Sequence, residues 1–132
     1  MKSSRNPRIQ PSEGELEILH VLWDRGTATV REIHEQLAEA RPAQYTTTLK
    51  QLQVMTGKGL VTRDDSERSH VFRAAVPRAA VQRQATARLL RRVFRGSAPT
   101  LLMQLLGTRR HTSTELAELR GIIQDYEKGK QK

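Results

Sequence analysis

Leu16, Leu19, Leu22 and Trp23 recur at three- and four-residue spacing, which places them on one stripe of a helix. Ser12-Glu13-Gly14-Glu15 ahead of them has the spacing of a capping box, with carboxylates where a helix N-terminus favours them, and Arg25-Gly26 closes the segment. A second stripe, Val30, Ile33 and Leu37, follows another capping box, Thr29-Val30-Arg31-Glu32, and stops at Pro42. A third helix is expected from about Ala43 to Lys58, with Gly59 where a helix end needs a residue free to take positive φ. The period then shortens. Leu60-Val61-Thr62-Arg63 and His70-Val71-Phe72-Arg73 are rich in β-branched residues and flank the polar run Asp64 to Ser69, a pattern that predicts a hairpin. Three helices followed by a hairpin is the order of a winged helix-turn-helix.

Pro77 is suited to open a fourth helix, whose apolar positions are Ala80, Ala85, Leu89, Leu90, Val93 and Phe94 up to Gly96. A short helix is expected from Thr100 to Leu106, stopped by Gly107. A capping box at Thr112-Ser113-Thr114-Glu115 then opens a sixth, striped by Leu116, Leu119, Ile123 and Tyr126. The expected fold class is mainly α with a small β-hairpin: a winged helix-turn-helix head at 12–76 and a helical dimerisation region at 77–127. A flexible basic arm at 1–11 precedes them and a frayed tail at 128–132 follows. Leu101, Leu102, Leu105 and Leu106, with the Leu116/Leu119/Ile123/Tyr126 stripe, are too apolar to leave in water and too few to enclose a core, so a second copy is expected to cover them as a homodimer interface.

Charge adds a direction. The 132 residues carry a formal net charge of +9, which favours polyanions. The bias is uneven: residues 1–75 hold 11 Lys/Arg against 10 Asp/Glu, and residues 76–132 hold 12 against 4. A DNA reading of the first half therefore rests on a local patch. There are no cysteines, which removes disulfides and thiolate chemistry and suits a reducing compartment. No apolar run approaches the roughly 18 residues that span a bilayer, and MKSSRNPRIQPS lacks the apolar stretch of a signal peptide. The expectation is a cytoplasmic protein acting at the nucleoid, without membrane insertion.

That local patch is the third helix. On a wheel of about 100° per residue, Tyr45, Thr48, Leu49, Leu52 and Met55 fall inward, while Thr46, Thr47, Lys50, Gln53 and Val54 fall outward with Gln51 on the flank. From Pro42 to Arg63 there is no acidic residue. Thr hydroxyls can bond phosphates or base edges, Thr methyls can meet thymine methyls, and Gln and Lys can donate in the major groove. The expected contacts to an operator in double-stranded DNA are thus Thr46, Thr47, Lys50, Gln51 and Gln53. Thr29 and Arg31 are added at the start of the second helix, where a phosphate could sit, and Arg68 and His70 at the wing. Asp64, Asp65 and Glu67 lie close to the wing and oppose DNA there.

Glu15-Leu16-Glu17-Ile18-Leu19 with Leu22-Trp23, then Ala28-Thr29-Val30-Arg31-Glu32-Ile33, then Tyr45-Thr46-Thr47 through Leu52 to Lys58-Gly59-Leu60-Val61 resemble the penicillinase-repressor family, the BlaI/MecI/CopY group. The resemblance runs from Ser12 to Tyr126 and includes the Arg68-to-Val76 strand and Glu115-Leu116-Ala117-Glu118-Leu119. It implies a bacterial dimer that binds a palindromic operator and represses genes, often for β-lactam resistance or metal homeostasis. It also implies a membrane sensor-protease pathway that triggers cleavage of the helical region. By that resemblance the cleaved bond maps near Gln104-Leu105, which stand in place of the Asn-Phe pair of characterised members. The Cys-rich copper site of some members has no counterpart here.

His20, His34, His70 and His111 show no metal-ligand spacing, and Glu13, Glu15 and Glu17 are explained by the dipole of a capped helix. No phosphate loop or nucleophile arrangement stands out, so no enzyme, metal site or cofactor is expected. Six arginines between Arg78 and Arg95 are read first as solubilising a leucine-rich helix, with DNA phosphate or an acidic partner as the sharper alternative. The competing class for the whole chain is a winged-helix module for protein contacts or ligand sensing. Only Phe94 and Tyr126 supply aromatics to a pocket in the second half, which disfavours a ligand sensor.

Overall fold

In the computed structural model, which describes residues 10–66 and 68–130, both predicted capping boxes of the head form. Ser12 Oγ accepts from the Glu15 amide at 3.2 Å and Glu15 Oε1 accepts from the Ser12 amide at 2.9 Å, which starts α1 (Glu13–Arg25). Thr29 and Glu32 make the same reciprocal pair at the start of α2 (Val30–Ala40), which ends at Arg41, before Pro42. The third helix, α3 (Tyr45–Lys58), has no side-chain cap at Gln44. Its other end closes on Gly59 at φ 83°, where the Leu60 amide donates to the Met55 carbonyl at 2.9 Å and Leu60 is buried. Only glycine takes that φ without a Cβ penalty.

The head contains three strands where the residue pattern indicates two. The predicted hairpin forms as β2 (Val61–Asp64) and β3 (Val71–Ala74), with Arg63 opposite Phe72. A further strand, β1 (Ala28–Thr29), pairs with β3 through Ala28 and Phe72, so the antiparallel order is β1-β3-β2. Two residues carry no periodicity, and their strand character comes from the partner. The core lies where α1, α2, α3 and this sheet converge: Ile18, Leu19, Leu22, Ile33, Leu52, Met55, Leu60, Val61 and Phe72 are all 3% exposed or less. Burial of each contributes about 1.5–3 kcal/mol before the entropy of ordering is set against it. Tyr45, expected in this core, is 44% exposed and stands edge-on to His34 instead, because it is the first residue of α3 and lies beyond the packed turns.

The remaining helices are α4 (Arg78–Arg92), α5 (Ala98–Leu106) and α6 (Ser113–Lys130). Two compact units divide the chain, one ending at Ala87 and one beginning at Arg88, rather than at the expected boundary after Val76. The reason lies in the first unit. Trp23 Nε1 donates to the Val76 carbonyl at 2.8 Å, Arg78 bonds Asp24 at 2.6 Å, and its guanidinium lies over the Trp23 ring, so the start of α4 is anchored to α1. In the second unit Ser97 caps α5 with Pro99 in its first turn, and Thr112 accepts from the Glu115 amide at 3.0 Å to start α6. The Glu115 carboxylate does not return to the cap as a complete box requires; it turns to Arg109 and His111. Lys128 to Lys130, expected to fray, continue α6. The expected basic arm lies outside the described residues except for Gln10 and Pro11. Among the described residues, no helix is long and apolar enough to cross a membrane.

Candidate nucleic-acid interface

α3 presents an outward face because its opposite face is fastened at several points. Thr48, Leu52 and Met55 are buried against the core. His34 Nδ1 lies 3.3 Å from Thr48 Oγ1, linking α2 to α3 where no apolar period marks either residue. At the far end Lys58 Nζ donates to Glu15 Oε2 at 2.9 Å. The exposed residues of α3 include all five that the wheel assigns outward, Thr46, Thr47, Lys50, Gln53 and Val54, together with Tyr45 at its start and Thr56 to Lys58 at its end. Thr46, Thr47, Leu49, Lys50 and Gln53 line a shallow groove along the helix. The face is short, polar and without a carboxylate, and Lys50 has no ion-pair partner among the described residues.

Gln51 is placed differently from Thr46, Thr47, Lys50 and Gln53. It is half-buried, and a Cβ built on Gly14 would stand 2.5 Å from its Nε2, so its amide lies over the first turn of α1 where glycine leaves room. It borders a second hollow lined by Glu17, Leu37, Arg41, Pro42, Thr47 and Thr48, whose charges are closed by the Arg41–Glu17 ion pair.

The start of α2 already holds an anion of its own. Glu32 Oε1 accepts from the Thr29 amide and Thr29 Oγ1 from the Glu32 amide, while Glu32 Oε2 pairs with Arg25 at 3.2 Å. The Thr29 amide bond, with Arg25 beside it, holds the Glu32 carboxyl below its ordinary value. Thr29 thus acts as a cap in this structure, and Arg31 beside it is exposed. At the wing, Asp65 Oδ1 accepts from Arg63 Nε at 2.8 Å and lies 2.7 Å from His70 Nδ1. The Ser66 amide holds the Asp64 carboxyl below its ordinary value. The wing tip therefore keeps two carboxylates against its cations, with Arg68 exposed beside them.

The second predicted surface lies wholly in the unit that begins at Arg88. Among the described residues nothing beyond Phe72 is buried. Leu101, Leu102, Leu116 and Leu119 are half-buried, whereas Leu105, Leu106, Ile123 and Tyr126 are exposed, Tyr126 by 71%. Met103 and Ile122, which fall off the predicted stripes, are 67% and 65% exposed and enlarge the apolar surface. Gln104 and Leu105 are exposed near the end of α5.

A family model described as penicillinase repressor matches residues 11–125, which covers every element from α1 into the last turns of α6. No curated protein matches the chain.

Proposed function

The chain belongs to the penicillinase repressor family, a family of DNA-binding transcriptional repressors with a winged-helix fold, and on that premise we propose that it represses genes as a homodimer bound to a palindromic operator. The observation that carries this reading is the acid-free outward face of α3, where Thr46, Thr47, Lys50 and Gln53 are exposed while Thr48, Leu52 and Met55 hold the helix on its core. Thr46 and Thr47 are suited to base edges and thymine methyls, and Lys50 and Gln53 to phosphate or purine acceptors. Gln51, Thr29, Arg31, Arg68 and His70 stand at the margin of this face or in capped and ion-paired positions, and add orientation more than sequence reading.

The dimer half of the proposal rests on α5 and α6. Their apolar residues find no enclosed core within one copy, and a second copy related by a two-fold axis would cover Leu105, Leu106, Ile123 and Tyr126 with the same residues. Two heads joined in this way bind two half-sites with the effective concentration of a linked pair. Release follows from the same arrangement: a cut between Gln104 and Leu105, by a protease pathway that begins at a membrane sensor, removes α6 and leaves α3 intact. Both residues are helical, so α5 would have to open locally before a protease could take the bond. The site of action is the cytoplasm.

Selection from a random pool of duplex DNA with the full chain tests the proposal. An inverted repeat is expected, its half-sites about 34 Å apart or a multiple of this. Lys50→Ala should weaken binding and reduce the slope of log K against log salt by about one ion. Thr46→Ala and Thr47→Ala should each cost roughly 1–3 kcal/mol on the selected sequence. A pool that yields no preferred sequence, or binding unchanged in all three variants, overturns it.

A further inference from the structure

Between Glu67 and Glu115 the sequence holds ten arginines and no Asp, Glu or Lys. Arg78 and Arg109 are paired with Asp24 and Glu115. Arg88, Arg91 and Arg92 form a group of a different kind. They are spaced i, i+3, i+4 near the end of α4, which confines them to an arc of roughly 100° on the helix. Leu89 and Leu90 fall on the other side. None of the three, nor Arg95 just beyond them, has a carboxylate partner among the described residues. Arg91, Arg92 and Arg95 are exposed and Arg88 is half-buried.

Like charges at these spacings destabilise one another, and the negative end of the helix dipole offsets only part of that. Arg95 adds a second cost: its φ of 51° lies in the left-handed region, where glycine is favoured over any residue with a Cβ. Solubility alone is met by mixed signs or by lysine, whereas every Lys/Arg position in this stretch is arginine, whose guanidinium fork matches two phosphate oxygens at once. A row of forks without a carboxylate partner is complementary to an array of phosphates.

We propose that Arg88, Arg91, Arg92 and Arg95 form a second DNA-binding face, which grips the phosphates of duplex DNA without regard to sequence and supplements the reading helix α3. The proposal rests on the DNA-binding reading for the identity of the polyanion. It makes α4 an affinity element and leaves specificity to Thr46, Thr47, Lys50 and Gln53.

The test compares the full chain with the fourfold Arg→Gln variant at 88, 91, 92 and 95 and with the double variant Arg91→Gln, Arg92→Gln, both positions of which are exposed. Binding to a scrambled duplex, to the selected operator and to poly-glutamate is measured over a range of salt, with helix content and sedimentation followed in parallel. The fourfold change should lower affinity for both duplexes by the same factor, about tenfold or more at low salt, and reduce the salt slope by about three to four ions. The double variant should lose about half that slope, and Arg91→Lys with Arg92→Lys should retain it. If the fourfold variant misfolds, the double variant decides alone. Unchanged duplex affinity and slope overturn the proposal, as does a loss confined to poly-glutamate, which would assign the face to an acidic protein. Loss of scrambled-duplex binding by a chain with no preferred sequence would uphold the α4 face while the repressor reading fails. A preferred sequence bound equally by wild type and variants would do the reverse.

Discussion

Lys58 Nζ lies 2.9 Å from Glu15 Oε2, joining the last turn of α3 to the first turn of α1. Glu15 is buried, and the same carboxylate closes the capping box on the Ser12 amide, so one side chain both starts α1 and sets the far end of the candidate reading helix. Burial pushes its pKa up, but the Lys58 hydrogen bond and charge and the Ser12 amide outweigh this and leave it below the ordinary 4.5.

Glu15→Gln should therefore cost about 1–2 kcal/mol at neutral pH. Because the folded pKa is depressed, the contribution is fully present above the unfolded value and is lost as pH falls through the folded one. The difference in thermal midpoint between wild type and variant should shrink steadily below about pH 4.5. A difference that holds constant on acidification would show that the charge of Glu15 contributes nothing.

Trp23 is the chain's one tryptophan, and its Nε1 bond to the Val76 carbonyl ties α1 to the lead-in of α4. Trp23→Phe keeps most of the apolar surface but leaves that carbonyl without its donor, at a cost of about 1–2 kcal/mol. Exchange of the Ala80 and Val81 amides, which donate to the Pro77 carbonyl, should quicken as the start of α4 loosens. Exchange rates equal to wild type would mean that Arg78 and Asp24 hold α4 unaided.

Arg109 and then His111 pull the Glu115 carboxyl down to about 2. His111 lies between two acceptors, its Nδ1 3.0 Å from Glu115 Oε1 and its Nε2 3.2 Å from the Leu106 carbonyl oxygen. With a depressed folded pKa, the stability from this clasp between α5 and α6 is present above 4.5 and disappears as pH falls through about 2. Carbon-13 titration of Glu115 should inflect near that value and move upward in Arg109→Ala. An inflection at the ordinary carboxylate value in the wild type would remove the clasp.

Ile123 is 48% exposed on α6, so Ile123→Glu should leave the fold of one copy intact. A two-fold partner would instead have to desolvate the new carboxylate, which costs several kcal/mol. Sedimentation should show a dimeric wild type and a monomeric variant, with affinity for the selected operator lower by orders of magnitude. A wild-type monomer at micromolar concentration that still binds DNA tightly would end the dimer proposal.

Much of the head was legible from residue order alone. Both of its capping boxes, the glycine that closes α3, the hairpin and, of the expected inward set, the buried Thr48, Leu52 and Met55 follow from spacing, because helix and strand periods and cap chemistry act over four residues or fewer, whereas Tyr45 is exposed and Leu49 half-buried. The outward face of α3 was legible for the same reason: once one side of a helix is buried, the other is defined. Contacts made by distant partners were not. The His34–Thr48 link, Gln51 over Gly14, and Asp65 between Arg63 and His70 join groups whose pairing no period predicts.

The sequence by itself determined, to within about two residues, where α1, α2 and α3 begin and end, which side of α3 faces outward, and that α5 and α6 carry more apolar surface than they can enclose. The tertiary structure alone decided that Ala28 and Thr29 form a strand, since a two-residue strand exists only where β3 offers its free edge. It also decided that the first unit runs past Val76 into α4, because Trp23, Asp24, Val76 and Arg78 come together only when α1 and the residues after the wing are brought side by side.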